Sequence, residues 1–335
     1  MPEKIRLGGL LLICFLAAAV FSGCGREKEP VPQKTEDITI ALARLEATAL
    51  VRIALRNGYF REEGLNARVR EYELGTLAFS ALLSGQADIA TVSQTTLVKQ
   101  AFERKDFVIV GTIHTSDNNV KLIARRDRGI KNPLDLAGKK IGLSRWTVDH
   151  FFLYSFLTSR GLTLEDVELA DMSPSELVTA LDRGEIDGFV SREPNIFRAQ
   201  EKLGPNAITF SGEGIYTAAV NLVVREAFAR KYPFVLGRVY RALIRAENFV
   251  KDSGETAIRI ISEDLGLDRG YIEKRWDESS YELSLDQSLL SAMEVEARWM
   301  IRNNLVFRKK MPNFYDFIYI DELEDVKPRA VTVIH

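Results

Sequence analysis

The sequence predicts an α/β protein made of two similar lobes with mostly parallel sheets. From Ile38 onward, short β-branched or apolar runs alternate with amphipathic stretches, which is the pattern of parallel strands connected by helices. A helix-to-strand segment at 81–88 also returns at 180–187, with alanine, leucine, glycine and aspartate at the same four positions. The chain has 335 residues, and at ~100–200 residues per domain this length accommodates two lobes.

The first strand and helix follow from residues 38–58. The run 38–42 is apolar or β-branched and predicts a strand. Four apolar residues then recur at the i, i+3, i+4 and i+7 spacing of one helix face: Ala47, Leu50, Val51 and Ala54. Gly58 follows as the helix stop, because glycine accepts the left-handed conformation at little cost.

The same order recurs in the middle of the chain. Residues 140–143 predict a strand, 148–160 a very apolar helix, and Gly161 its stop. The helix after that begins at 173–176, where serine, proline, serine and glutamate supply an N-cap, a first-turn proline and a capping box.

The repeated segments at 81–88 and 180–187 have two interpretations. Either two lobes share one plan, or the chain uses a common helix-stop sequence twice by chance. In both cases the glycines and aspartates lie where a helix ends and a strand begins. They are therefore predicted to be structural, since ligands of open parallel sheets bind at the opposite ends of the strands.

The amino terminus reads as an export signal. Lys4 and Arg6 precede an apolar run at 10–21, which is shorter than the ~20 apolar residues of a membrane-spanning helix. Ser22, Gly23 and Cys24 follow the run in a sequence that resembles a bacterial lipobox, so residues 1–23 are predicted to be removed and Cys24 lipidated. An uncleaved anchor or an ordinary signal peptide is the alternative. Residues 24–36 are charged and proline-rich and predict a tether. The predicted location is the outer face of the cell membrane or the periplasm.

Composition excludes several classes of function. Removing residues 1–23, with two cations and one anion, changes the net charge from −2 to −3, so no basic excess is available for nucleic acid. The only cysteines are Cys14 and Cys24, so the folded part has no disulfide or cysteine nucleophile. The three histidines are scattered without ligand spacing, and neither a metal nor a cofactor is expected.

Ligand contacts are expected at the carboxyl ends of the strands, where helix N-termini also direct their N–H groups. The predicted contacts are Arg44, Glu46, Thr76, Ser93, Gln94, Thr95, His114, Ser144, Arg145, Trp146, Thr147, Arg192 and Glu193. A guanidinium can bind an anion in a forked geometry, and an indole can stack on a planar ligand.

Several of these residues have a structural alternative. Arg145 can be a surface cation, and Trp146 can pack under a loop. Glu193 can be a favourable carboxylate at a helix N-terminus rather than an acceptor for a ligand N–H group. Thr76 and Thr95 can be helix N-caps, and His114 can be a structural histidine, rather than ligand contacts.

Four segments in order resemble the substrate-binding proteins of nitrate/sulfonate/taurine-type ABC importers, a family that includes binders of pyrimidine thiamine precursors. The segments are NGYFREEGL at 57–65, SGQADIA at 84–90, DLAGKKIG at 135–142 and ALDRGEIDG at 180–188. The resemblance implies a type II periplasmic-binding fold: two Rossmann-like lobes joined by two crossing segments, near Ala124 and Tyr216. Lobe one would hold 37–124 and 216–335, and lobe two 125–215.

The resemblance also implies a function. The chain would be the solute-binding component of an ABC importer, a monomer that captures a small polar or anionic molecule by hinge closure and delivers it to a permease and ATPase. At 144–146 the chain has Ser-Arg-Trp where sulfonate binders commonly have Gly-Ser or Gly-Thr. Anionic, aromatic and pyrimidine ligands therefore all stay open.

Two other classes compete with this prediction. Some enzymes share the fold, but the pyrimidine-precursor synthases carry a cysteine-rich motif that this chain lacks. No Gly-x-Ser-x-Gly elbow, His-Glu-x-x-His helix or phosphate loop is present either. The second competitor is a ligand-sensing lipoprotein that docks on a membrane receptor, which needs the same two-lobed clamp.

Overall fold

The structure is a computed structural model that describes residues 35–334. The predicted signal peptide and Cys24 lie outside the described residues, as does most of the predicted tether at 24–36. The first strand already includes Glu36, so ordered structure begins one residue inside the predicted tether. None of the helices in the described part of the chain combines the length and the apolar character needed to cross a membrane.

Strands and helices alternate through most of the described chain. The strands are β1 (Glu36–Ala43), β2 (Leu65–Tyr72), β3 (Ile89–Ser93), β4 (Phe107–Ser116), β5 (Val120–Arg125), β6 (Lys140–Leu143), β7 (Glu168–Asp171), β8 (Gly188–Arg192), β9 (Ala207–Phe210) and β10 (Ala218–Arg225). The helices are α1 (Ala49–Arg56), α2 (Tyr59–Glu62), α3 (Gly75–Leu83), α4 (Gln94–Ala101), α5 (Val148–Thr158), α6 (Pro174–Asp182), α7 (Asn195–Leu203), α8 (Glu226–Lys231), α9 (Pro233–Asp252), α10 (Gly254–Leu265), α11 (Arg269–Trp276), α12 (Gln287–Arg302) and α13 (Asp321–Val326).

The strands form two five-stranded sheets with equivalent topology. The first has the order β2-β1-β3-β10-β4, and the second the order β7-β6-β8-β5-β9. In each sheet one strand, β10 or β5, runs antiparallel to the other four. The prediction of two α/β lobes with mostly parallel sheets is confirmed.

The chain passes between the sheets twice. The first passage, at 117–119, precedes the predicted crossing at Ala124, because Ala124 already pairs with Gly188 in the second sheet. The second passage, at 211–217, includes the predicted crossing residue Tyr216. The predicted limit of lobe one at residue 124 therefore places β5 on the wrong side, and the rest of the lobe division stays a prediction.

The local signals in the sequence correspond to the observed elements. The stripe at 47–54 belongs to a short 3-10 turn followed by α1, and the predicted helix at 148–160 is α5. Ser173 and Glu176 form the predicted capping box at the start of α6. Gly58 and Gly161 have φ angles of +75° and +77°, the left-handed conformation in which glycine is favoured.

The repeated aspartates have the same structural role in both lobes. A side-chain oxygen of Asp88 accepts the N–H of Thr39 at the start of the first lobe, at 2.9 Å. Asp187 accepts the N–H of Lys140 in the second lobe, also at 2.9 Å. The repeat therefore reflects one plan used twice, in which the aspartate secures the first strand of each lobe.

The apolar cores of the two lobes differ in size. The first sheet packs in one large cluster with the helices of the carboxyl-terminal part, including the fully buried Tyr240, Met293 and Met300. The second sheet has a smaller cluster on each face, one around Phe156 and one around Phe189. The carboxyl-terminal helices thus share the core of the first sheet.

Candidate ligand cleft

Polar strand ends of the two lobes meet around three adjoining cavities. The central one holds about 20 Å³, close to the space for one water, and is lined by both lobes. Its lining residues are Ala43, Leu45, Leu74, Gly75, Thr76, Thr91, Ser93, Thr96, Thr147, Arg192 and Val220. Leu45 and Arg192 also line an open cleft of about 620 Å³, and Thr76 and Thr147 line a third cavity of about 270 Å³. The wide cleft has the size of a small-molecule site.

Arg192 is the cation at the centre of this arrangement. It is the last residue of β8, and its side chain is 13% exposed while lining both the central cavity and the wide cleft. Its Nε lies 3.6 Å from Oδ1 of Asp149, a separation that pairs the charges without a hydrogen bond. The forked guanidinium is suited to a carboxylate, sulfonate or phosphate group.

Asp149 lies behind Arg192 in the first turn of α5 and is fully buried. Burial raises the pKa of the Asp149 carboxyl, while the charge of Arg192 and the hydroxyl of Thr147 lower it by smaller amounts. The cation and the buried carboxyl are thus electrostatically coupled at the wall of the central cavity.

Lobe one presents hydroxyl groups and helix N-termini to the same cavity. α3 and α4 begin beside it, and helix N-termini favour anions through their free N–H groups and dipole. The hydroxyls of Ser93 and Thr96 lie 3.1 Å apart. Gly75 starts α3 close to β3, where a Cβ atom would lie 3.3 Å from the carbonyl oxygen of Thr91. Glycine at this position thus allows α3 to begin in close contact with β3.

The structure brings together eight of the predicted contact residues around these cavities. They are Arg44, Thr76, Ser93, Ser144, Arg145, Thr147, Arg192 and Glu193. Arg145 is exposed at the rim of the third cavity. One carboxylate oxygen of Glu193 accepts the N–H of Phe197 at 2.9 Å, which is the helix-terminus role considered from the sequence. Their contact with a ligand remains a prediction.

Trp146 packs between the lobes and does not line any of the three cavities. Its φ angle is +65°, and the ammonium of Lys99 from lobe one lies 4.6 Å from the centre of its ring. The ring also meets His150 edge-on at 6.2 Å. In the described structure Trp146 therefore packs between Lys99 of α4 and His150 of α5.

Four other predicted contacts lie away from the three cavities. They are Glu46, Gln94, Thr95 and His114. Glu46 borders a separate pocket of about 10 Å³. His114 lies inside β4, which continues to Ser116, so it is not at the carboxyl end of its strand. Burial lowers the pKa of His114 to about 3, so its ring is neutral.

Helix phase separates the residues at the start of α4. Ser93 and Thr96 are three apart and face the central cavity together. Gln94 instead uses its side-chain oxygen to accept the N–H of Ala219 at 2.8 Å, and Thr95 is completely buried. Neither Thr76 nor Thr95 is an N-cap, since α3 and α4 have Leu74 and Ser93 there.

Sequence reasoning missed several residues of the site. They include Leu45, Tyr72, Glu73, Thr91, Thr96, Asp149, Ser175 and Asn195. Thr96 is signalled by the i, i+3 spacing from Ser93, which points a second hydroxyl in the same direction. Asp149 carries no such signal, because its pairing with Arg192 joins residues 43 positions apart in the chain.

Two sets of contacts hold the lobes against each other. On one face, Trp299 of α12 packs on three rings of α5: His150, Phe151 and Tyr154, with ring centres 5.1 to 5.5 Å away. At the rim, a carboxylate oxygen of Glu73 accepts the N–H of Ser175 at the start of α6, at 3.0 Å. The described conformation is thus one in which the lobes touch.

A second buried carboxyl lies beside the second passage between the lobes. Glu296 of α12 is fully buried and accepts a hydrogen bond from the hydroxyl of Tyr216 at 3.0 Å. Burial raises the pKa of Glu296 to about 7, although Thr95, Gln94 and Tyr216 favour its charged form. This carboxyl is close to its titration point at neutral pH.

Two lobes of one topology that face each other across a polar cleft define the two-lobed class with the periplasmic-binding fold. The periplasmic aliphatic sulphonate binding protein SsuA of Escherichia coli shares this structure, with a TM-score of 0.74 at 17% identity over 85% of this chain and 98% of that one. The desulfurization enzyme DszB also shares it, with a TM-score of 0.62 at 15% identity over 88% and 99% of the two chains.

Sequence relatives lead to the same class. A putative binding protein of Brucella abortus is 26% identical over 232 residues, 68% of this chain and 70% of the relative. The taurine-binding periplasmic protein of Escherichia coli is 27% identical over 194 residues, 57% and 59% of the two chains. The model of the NMT1/THI5-like family matches residues 47–257. The chain belongs to the NMT1/THI5-like family.

Proposed function

We propose that the protein is the solute-binding component of an ABC importer and that it captures a small anionic organic molecule between its lobes. The observation that carries the proposal is the convergence on one cavity of Arg192, the N-termini of α3, α4 and α5, and the hydroxyls of Ser93 and Thr96. Each of these groups favours negative charge.

The cavity sizes indicate how such a ligand lies. The central cavity of about 20 Å³ has room for little more than one oxygen atom, whereas the adjoining cleft of about 620 Å³ takes a drug-sized molecule. Arg192 lines both spaces. An anionic head beside Arg192, with the remainder in the wide cleft beside Tyr72 and Leu267, fits this shape.

Lobe closure is the proposed mechanism of capture. The ligand contacts both lobes and therefore binds the closed state more tightly than the open state. The difference between these two binding free energies is the amount by which the ligand favours closure. The contacts of Trp299 with α5 and of Glu73 with Ser175 join the lobes in the described conformation, and they support this mechanism. Docking on a permease with its ATPase then depends on whether the cleft is occupied.

Export and anchoring complete the proposal. The relatives include proteins named as periplasmic, and this chain begins with a predicted signal and lipidation site at Cys24. We propose a monomer held at the outer face of the membrane by lipid, with binding rather than catalysis as its role. Binding-protein relatives support this role, although DszB demonstrates that the fold also serves an enzyme.

A thermal-shift screen of the purified full chain tests the proposal. The panel contains alkanesulfonates, taurine, nitrate, aromatic carboxylates and neutral pyrimidines. We expect at least one anion to raise the melting temperature with concentration, because a ligand of the native state stabilises it by mass action. The same anion is expected to reduce the radius of gyration in small-angle scattering. Stabilisation by neutral pyrimidines alone would contradict anion capture.

A further inference from the structure

Asp149 is buried without the hydrogen bonds that a buried carboxylate normally has. Its exposed fraction is 0%, and in the part of the chain that the structure describes neither carboxyl oxygen has a hydrogen-bond donor. The nearby hydroxyl of Thr147 donates a hydrogen bond to the carbonyl oxygen of Ser144 at 2.7 Å, so it favours the charged form of Asp149 less than Arg192 does. An unpaired buried charge is costly, so the charged form of Asp149 depends on the cation beside it.

Arg192 is that cation, and the other titratable groups nearby do not replace it. The next residue, His150, is neutral at physiological pH, because burial and then the charge of Arg145 lower its pKa to about 4. Lys99 of α4 lies over the ring of Trp146 on the lobe-one side. The negative charge of Asp149 is therefore compensated by Arg192 alone among the charges that act on it.

An anion at the Arg192 guanidinium changes this balance. It places a second negative charge near the carboxyl of Asp149. The single positive charge of the guanidinium then has to compensate two anions instead of one. A like charge nearby and exclusion of water by the closed lobes both favour the neutral form of a carboxyl. The anion thus removes the interaction that kept Asp149 charged.

We propose that binding of an anionic ligand at Arg192 is coupled to uptake of one proton by Asp149. The proton comes from solvent and adds to a carboxylate oxygen, and no other bond forms or breaks. The loaded site then contains one cation, one neutral carboxyl and one anion. The inference rests on the proposed function. If it holds, Asp149 makes the site selective for a ligand with one negative charge.

Calorimetry with methanesulfonate tests the coupling, because this anion stays charged between pH 6 and pH 8.5 and cannot itself take up the proton. Titrations of the full chain in bis-Tris and in Tris give the number of protons taken up, because these two cationic buffers differ in ionisation enthalpy and do not compete with an anion for Arg192. We expect uptake approaching one proton per ligand and a Kd that rises up to tenfold per pH unit.

Asp149→Asn keeps the shape of the side chain and removes the proton site. We expect this variant to bind methanesulfonate with equal heats in both buffers and a Kd that does not change with pH. Asp182→Asn is the matched control, since Asp182 is an exposed carboxylate at the end of α6 that pairs with Lys202. It is expected to retain the wild-type uptake.

The outcomes separate the two proposals. Binding without proton uptake in the wild-type chain would overturn the coupling and leave anion capture intact, and so would uptake that persists in Asp149→Asn. No binding of any anion at any pH would overturn both. If the asparagine variant does not fold, carbon-13 NMR of the aspartate carboxyls in the wild-type chain replaces it. A carboxyl that stays ionised with methanesulfonate bound would refute the inference.

Discussion

The two lobes share a scaffold but contribute different chemistry to the cleft. Both sheets have the same strand order, and both secure their first strand with the aspartate of the repeated segment. At the cleft, lobe one presents the hydroxyls of Ser93 and Thr96, whereas lobe two presents Arg192 in front of a buried Asp149. The repeated residues therefore build the fold, whereas residues that differ between the lobes line the cleft.

The two lobes also differ in the surroundings of a buried carboxyl, Glu296 in lobe one and Asp149 in lobe two. Glu296, on the lobe-one side, accepts a hydrogen bond from Tyr216 beside the passage between the lobes. Asp149, in lobe two, faces a guanidinium at the cavity and accepts no hydrogen bond within the described residues. The first is placed to affect stability, and the second to affect the charge of the site.

Replacing Arg192 tests the asymmetry most directly. We expect Arg192→Ala to weaken anion binding by about 10- to 150-fold, because a hydrogen bond to a charged group contributes ~1.5–3 kcal/mol. Ser93→Ala removes a neutral hydroxyl of lobe one and is expected to cost about tenfold at most. Calorimetric Kd values for the two variants measure the difference. Equal losses would mean that both lobes contribute alike.

Titration of Glu296 tests the stability role of the lobe-one carboxyl. The folded pKa of about 7 is above the ordinary 4.5, so the folded state holds the proton more tightly. Stability should therefore fall as pH rises from about 4.5 to about 7 and stay low above that. Since one pKa unit corresponds to ~1.4 kcal/mol, the loss is at most about 3 to 4 kcal/mol.

Glu296→Gln keeps an acceptor for Tyr216 and removes the titration. We expect the variant to unfold at higher denaturant concentration than the wild type at pH 8, and at the same concentration near pH 4.5. Asp149→Asn is the comparison from lobe two, with its effect expected mainly on ligand binding. A stability difference for Glu296→Gln that does not depend on pH would contradict the assignment.

Replacing each repeated aspartate tests whether it contributes equally to the free energy of unfolding in the two lobes. Asp88→Ala and Asp187→Ala each leave the N–H of a first strand without its acceptor, at Thr39 and Lys140 respectively. We expect each to destabilise the protein by ~1–3 kcal/mol and to leave the Kd of the folded protein nearly unchanged. Chemical unfolding of both variants checks this. A loss confined to one variant would break the equivalence.

The rim contact between the lobes should have the smallest effect. Glu73→Gln weakens the charge-assisted hydrogen bond from Ser175, which is exposed, so we expect a change of no more than ~1 kcal/mol or about fivefold in Kd. Small-angle scattering at subsaturating ligand should detect slightly fewer closed molecules. Gln86→Glu, on the surface of the same lobe, serves as the control and is expected to have no effect on closure.

Sequence alone determined the parts of the protein that depend on local spacing. The alternation of strands and helices, the capping box at Ser173 and the repeated helix stops all follow from neighbours within about eight residues. The order of the four segments at 57–65, 84–90, 135–142 and 180–188 was enough to suggest the family. Strand-end position also placed Arg192 and Ser93 at the correct edge of their sheets, because that edge follows from strand direction.

Tertiary structure decided which way the edge residues face. Helix phase sent Ser93 and Thr96 to the cavity and turned Gln94 and Thr95 into the interior. Docking of the lobes placed Trp146 against Lys99, and packing of α5 on β8 within lobe two put Asp149 behind Arg192. These contacts join residues far apart in the chain, and their geometry depends on how helices and lobes pack. Residue spacing along a single chain carries no information on that packing, and so the charge pair at the centre of the cleft emerged only from the fold.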